Sequence, residues 1–75
     1  KELQQRARGD ATLLSPREHE VIKLIAGGLS VPDIAKQLHL APTTVRTHVQ
    51  RLYEKLGVSD RGAAVAEAMR RRLVE

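Results

Sequence analysis

A chain of 75 residues has room for one small domain and not for two. It contains no Phe, Trp or Cys, and Tyr53 is its only aromatic residue; disulfides and thiolate metal sites are excluded, and any core must be built from Leu, Ile, Val and Ala, which suits helices packed on helices. The 13 Lys and Arg against 9 Asp and Glu give a formal net charge of +4, which is compatible with a polyanionic partner without demanding one. No apolar run approaches the ~20 residues that cross a bilayer, and the N-terminus lacks the apolar segment of a signal peptide. An all-α, soluble, cytoplasmic chain with no membrane partner is therefore expected.

Residues 1–12 (KELQQRARGDAT) are polar and charged, broken by Gly9, with little but Leu3 to anchor them. They read as an interdomain linker, and the opening on Lys1 rather than Met predicts a piece of a longer chain. The folded domain is expected over 13–75. At Ser15-Pro16-Arg17-Glu18 a helix starts: Ser15 can cap, Pro16 fits the first helical position, and Glu18 completes a capping box. The apolar stripe Val21, Ile22, Leu24, Ile25 and Ala26 continues it to Gly27-Gly28, so the first helix is placed over 16–27. Leu14 can staple back onto its first turn.

Ser30 is the next N-cap, with Asp33 three residues on and Pro32 in the first turn. Ile34, Ala35 and Leu38 share one face, which gives a short helix over 31–38. Pro42 opens a third helix, 42–56, stopped by Gly57, on which Val45, Val49, Leu52, Tyr53 and Leu56 fall together and predict the buried side. Ser59 and Asp60 offer a last cap. Alanine-rich sequence follows, with Val65, Met69 and Leu73 recurring every four residues, and predicts a fourth helix over 60–72. The Arg70-Arg71-Arg72 cluster suits its C-terminal end. No segment reads as a strand.

Two helices joined by a three- or four-residue turn can cross steeply only if small and apolar residues fill the corner. Ala35 supplies the small contact, Leu40 the plug and Val45 the branched contact, the spacing of a helix-turn-helix. His39 occupies the turn position where Gly is common, and a left-handed backbone there would carry a modest penalty. With Val45 facing inward, the third helix presents Thr43, Thr47, Gln50 and Glu54 outward, flanked by Arg46 on one shoulder and Thr44, His48 and Lys55 on the other. Arg can bond guanine O6 and N7, Gln can pair with adenine, and a Thr methyl can meet that of thymine. Base reading is therefore assigned to Thr43, Arg46, Thr47 and Gln50. Phosphate contacts are assigned to Thr44, His48, Arg51 and Lys55, and to the N-terminus of the second helix at Ser30 and Val31.

The competing reading of such a face is a solvated helix surface, and the turn spacing argues against it. His19 and His39 read as structural, and no two histidines stand at metal spacing. Glu18 reads as a cap rather than a catalytic acid, since neither a second carboxylate nor a nucleophile is placed beside it. No cofactor, small-molecule ligand or enzymatic role is expected.

The stretches Leu14-Ser15-Pro16-Arg17-Glu18-His19-Glu20-Val21, Gly28-Leu29-Ser30, Ile34-Ala35, Leu38, Thr44-Val45-Arg46-Thr47-His48 and Lys55-Leu56-Gly57-Val58 together resemble the LuxR-type, also called NarL/FixJ or GerE-type, DNA-binding domain over about residues 13–73. The resemblance implies a four-helix domain whose third helix enters the major groove of double-stranded DNA. It carries base contact to Thr43, Arg46, Thr47 and Gln50 and backbone contact to Thr44, His48 and Lys55. It also implies that the last helix helps two copies pair as a homodimer on DNA; the Ala-rich face of that helix, Ala63, Ala66, Glu67 and Arg70, offers the surface for a second copy or for RNA polymerase. The sequence departs from the pattern at Ala41, where a capping Ser is common, at Gly62 and at Arg72. The resemblance further implies the C-terminal output module of a transcription regulator. A two-component response regulator is the leading parent, with a quorum-sensing or ATP-binding regulator as one alternative and a helical module serving mainly protein interaction, by dimerisation or polymerase contact, as the other. Promoter-reading domains of sigma factors share the LSPRE and TV features, but the THVQRLYEKLGV continuation and the fourth helix favour the LuxR-type reading.

Overall fold

The computed structural model describes residues 14–74. The expected linker, 1–12, lies outside the described residues. Four helices follow in order: α1 Pro16–Ala26, α2 Val31–Leu38, α3 Pro42–Leu56 and α4 Arg61–Arg70. The all-α expectation holds, and each helix falls within about two residues of its expected span. Among the described residues no helix is long and apolar enough to cross a membrane.

α3 lies at the centre of the packing. It contacts α1, α2 and α4, while α1 also touches α2 and α4. The core is Val21, Ile22 and Ile25 of α1, Ile34 and Ala35 of α2, Val45, Leu52 and Leu56 of α3, and Ala64 and Ala68 of α4. On α3 the buried strip is narrower than the five-residue face read from the wheel: Val49 and Tyr53 are half-buried at its edge. On α4 the apolar recurrence Val65, Met69, Leu73 lies beside the most buried positions rather than on them. The buried positions are Ala64 and Ala68, while Met69 is 53% exposed. Alanine at the contact lets the α4 backbone approach closely, which turns the Met69 position outward.

The helix ends share one device. The capping box at α1 is complete, with Ser15 N–H donating to Glu18 Oε1 at 2.9 Å and Glu18 N–H to Ser15 Oγ at 3.1 Å. At their C-termini all four helices close with paired backbone bonds of the Schellman type, in which the last apolar residue reaches back five positions. The bonds are Leu29 N–H to Leu24 O, Leu40 N–H to Ala35 O, Val58 N–H to Tyr53 O and Leu73 N–H to Ala68 O. The preceding residue must adopt the left-handed conformation: Gly28 and Gly57 do so freely, His39 (φ 58°) and Arg72 (φ 61°) against a Cβ penalty. Each closure delivers its apolar residue, Leu29, Leu40, Val58 or Leu73, onto the core. Leu40 therefore plugs the α2–α3 corner as expected, at the cost of a strained His39. Arg72, being the left-handed residue, ends α4 at Arg70 instead of extending it to 72.

Candidate nucleic-acid interface

The 15 residues of α3 are locked from one side. Val45 and Leu52 are fully buried, so the opposite arc is held rigidly outward. Thr43, Thr44, Arg46, Thr47, Gln50, Arg51 and Glu54 are exposed, and His48 is half-buried on the shoulder. The four residues assigned to base reading thus share one continuous exposed surface. Among the described residues neither Arg46 nor Arg51 has an ion pair. The Thr47 hydroxyl donates to the Thr43 carbonyl four residues back, at 3.1 Å, which occupies its proton within the helix and leaves the methyl for an outside contact. Ala41 provides no side-chain bond to the first turn of α3, as its departure from the usual Ser implies.

The phosphate-contact set is less uniform. At α2 the Ser30 hydroxyl accepts from Asp33 N–H at 3.3 Å. Val31 is half-buried, so what it can offer a phosphate is its main-chain N–H. Thr44 and Arg51 are open. Lys55 is engaged elsewhere: its Nζ donates to Glu18 Oε1 at 2.8 Å, with its side chain 28% exposed. Glu18 is 4% exposed. Burial alone would push its carboxyl up, but the Lys55 hydrogen bond, the Ser15 bonds and the Lys55 charge outweigh this and hold it below the usual value of 4.5. The pair joins the first turn of α1 to the last turn of α3 and so fixes α3 against α1. The sequence could assign Glu18 a cap and Lys55 a positive charge, but nothing in it shows that two residues 37 apart meet.

Other cross-links brace the helices around α3. An Arg61 guanidinium N–H donates to Ile25 O at 2.8 Å, a second bond on an end carbonyl of α1 that also accepts the Gly28 N–H at 3.0 Å. His19 Nε2 lies 2.8 Å from Leu73 O; a carbonyl can only accept, so this nitrogen carries the proton. The structural role expected of His19 is thereby specified. Tyr53 sits on the flank of α3, its phenol pushed above the ordinary value by burial, against the opposing charge of Arg61. The residues expected to pair copies through α4 are divided by the fold. Ala66 and Arg70 are exposed, whereas Ala63 and Glu67 are half-buried. The Glu67 carboxylate is bonded by Arg70 and Arg71, which hold its carboxyl low.

Comparison with known proteins follows the same outline. The sequence profile of "Bacterial regulatory proteins, luxR family" matches residues 12–68. "Probable transcriptional regulatory protein NarL" of Mycobacterium tuberculosis is 65% identical over 74 residues, covering 99% of this chain and 34% of that protein. The chain thus spans about a third of that relative's length. "HTH-type transcriptional regulator MalT" of Yersinia pestis is 47% identical over 57 residues, which is 76% of this chain and 6% of MalT. Among solved structures, the transcription factor GerE superposes with a TM-score of 0.77 at 37% identity, covering 83% of this chain and 92% of GerE. The response regulator ChrA of a heme-sensing two-component system gives 0.79 at 41% identity, covering 81% of this chain and 30% of ChrA. Profile, sequence and fold agree over the same helices, and the chain belongs to the luxR family of bacterial regulatory proteins.

Proposed function

We propose that the chain is a sequence-specific, double-stranded DNA-binding module for transcription control, with α3 as the helix that enters the major groove. One observation carries this reading: α3 is locked on one side by fully buried Val45 and Leu52 and presents Thr43, Arg46, Thr47 and Gln50 on the other as a rigid, exposed set. Such a face meets base edges without first having to be ordered. Thr44, His48 and Arg51 fix the register on phosphates together with the N-terminus of α2 at Ser30 and Val31. Lys55 serves chiefly to orient α3 through Glu18. The parent protein is a response regulator acting in the cytoplasm, a reading supported by the similarity to NarL and to the response regulator ChrA. Two copies pair on DNA through the exposed side of α4, where Ala66, Met69 and Arg70 lie open; polymerase contact is the alternative use of that side.

Titrating duplex DNA at several salt concentrations tests the groove-reading role. Arg46→Ala is expected to cost about 1–3 kcal/mol of specific affinity and to relax preference at the base it reads. Arg51→Ala is expected to weaken all sequences alike and to lower the salt slope by about one. Indistinguishable behaviour of the two variants would remove the assignment of base reading to Arg46. A full-length protein lacking a receiver domain would overturn the parent while leaving the role of α3 intact.

A further inference from the structure

Thr43, Thr47, Gln50 and Glu54 follow one another at spacings of four, three and four, a straight stripe on the side of α3 opposite Val45. Three of these were assigned to base reading; the fourth is a carboxylate. Glu54 is exposed, and among the described residues it has no ion-pair partner, although Arg51 lies one turn before it. Lys55, its neighbour, is turned to Glu18. The other glutamates of the described region are all partnered: Glu18 by Lys55 and Ser15, Glu20 by Arg17, Glu67 by Arg70 and Arg71. Glu54 also lies in the last turn of α3, next to the negative end of the helix, where a carboxylate is unfavourable. Fold stability therefore gives no account of it.

We propose that Glu54 is a specificity-determining residue that accepts a hydrogen bond from the N4 amino group of a cytosine in the major groove. This rests on the reading of α3 as the groove helix. From Thr43 to Glu54 the stripe runs roughly 16 Å at 1.5 Å per residue, about five base-pair steps, so Glu54 addresses the end of the contacted sequence farthest from the helix N-terminus. A carboxylate has no proton to donate. It is satisfied best by the amino group of cytosine, meets at adenine an amino group beside the N7 acceptor, and faces only acceptors at guanine O6 and N7 or thymine O4. Its contribution is mainly rejection: sequences presenting an acceptor there leave an unpaired negative charge in a groove already lined by phosphates.

The test is selection from duplexes randomised across one half-site, with the wild-type chain, Glu54→Ala, Glu54→Gln and Arg46→Ala compared at one salt concentration. The wild type is expected to favour cytosine at one terminal position by about tenfold. Glu54→Ala flattens that position to about twofold or less, and Glu54→Gln moves its preference to adenine, because an amide both donates and accepts. Thermal melting of Glu54→Ala is expected to match or exceed that of the wild type, which separates a change in reading from a loss of fold. Retention of every base preference by Glu54→Ala, or a change by one common factor on all sequences, overturns the proposal. If Arg46→Ala loses its preference while Glu54→Ala keeps all of them, only the role of Glu54 falls. If the wild type shows no base preference, the groove-reading role of α3 falls with it.

Discussion

α3 and α4 both lie against α1, and they differ in what each buries and in what each leaves outside. α3 inserts branched side chains, Val45, Leu52 and Leu56, and its outer Arg46, Gln50, Arg51 and Glu54 form no side-chain bonds among the described residues. α4 inserts only Ala64 and Ala68 and neutralises its outer Glu67 with its own Arg70 and Arg71. A helix whose charged groups bond one another offers a partner little beyond its apolar surface. One whose hydrogen-bonding groups stand ready on a rigid backing is suited to a partner that supplies the missing half of each bond. The same contrast appears in the anchoring, since α3 is tied to α1 through the charge pair Lys55–Glu18 and α4 through bonds to the backbone carbonyls of Ile25 and Leu73.

Core truncation should separate the two helices most widely. Leu52→Ala is expected to lower stability by about 2–5 kcal/mol in urea unfolding. Ala68→Gly, which removes one methyl and adds backbone freedom, should cost only about 1 kcal/mol. Equal costs would mean that α4 carries as much of the core as α3.

The anchoring difference should appear as a pH dependence. Glu18→Gln is expected to cost about 1–3 kcal/mol at neutral pH, because it removes the charge from a buried, charge-assisted hydrogen bond between Lys55 and Glu18. The Glu18 carboxyl is held below 4.5 in the folded state, so its stabilisation is fully present above that value and is lost as pH falls through the depressed folded pKa. The gap between wild type and Glu18→Gln should therefore close in acid, as read by denaturant midpoints across the acid range. A gap that stays constant would show that the charge of Glu18 is not what joins α1 to α3.

The helix ends should give the smallest effects, of opposite sign. Gly57 and Arg72 occupy the same left-handed position after α3 and α4. Gly57→Ala is expected to destabilise, and Arg72→Gly to stabilise, by about 1 kcal/mol each in thermal melts. His39→Gly should resemble Arg72→Gly and leave the α2–α3 turn unchanged.

The helices were legible because their start and stop residues are local signals. Ser15 with Glu18, Ser30 with Asp33, Pro42, Asp60 and the glycines at 27, 28 and 57 act within one turn of where they stand. The outward stripe of α3 was legible for the same reason, since periodicity alone opposes Thr43, Thr47 and Gln50 to Val45. On α4 the recurrence of Val65, Met69 and Leu73 marked the helix but not its innermost positions: Val65 and Leu73 pack at the edge of the core, Met69 is exposed, and Ala64 and Ala68 are the buried residues. Only the space left by α1 and α3 decides that small residues turn inward there. His39 and Arg72 as left-handed residues could be suspected from a missing glycine, but the conformation is imposed by Leu40 and Leu73 being drawn to the core.

What the sequence by itself determined is the set of four helices, where they start, the helix-turn-helix corner and the hydrogen-bonding face of α3. All of these follow from capping, helical period and turn chemistry over fewer than about 15 residues. What only the tertiary structure decided is which residues meet across the chain. Lys55, expected to hold phosphate, was drawn into a partly buried pair with Glu18, Arg61 was set on an end carbonyl of α1, and Glu54 was left, among the described residues, without an ion pair in line with the residues proposed to read bases. Those outcomes depend on distances between helices that no local pattern contains.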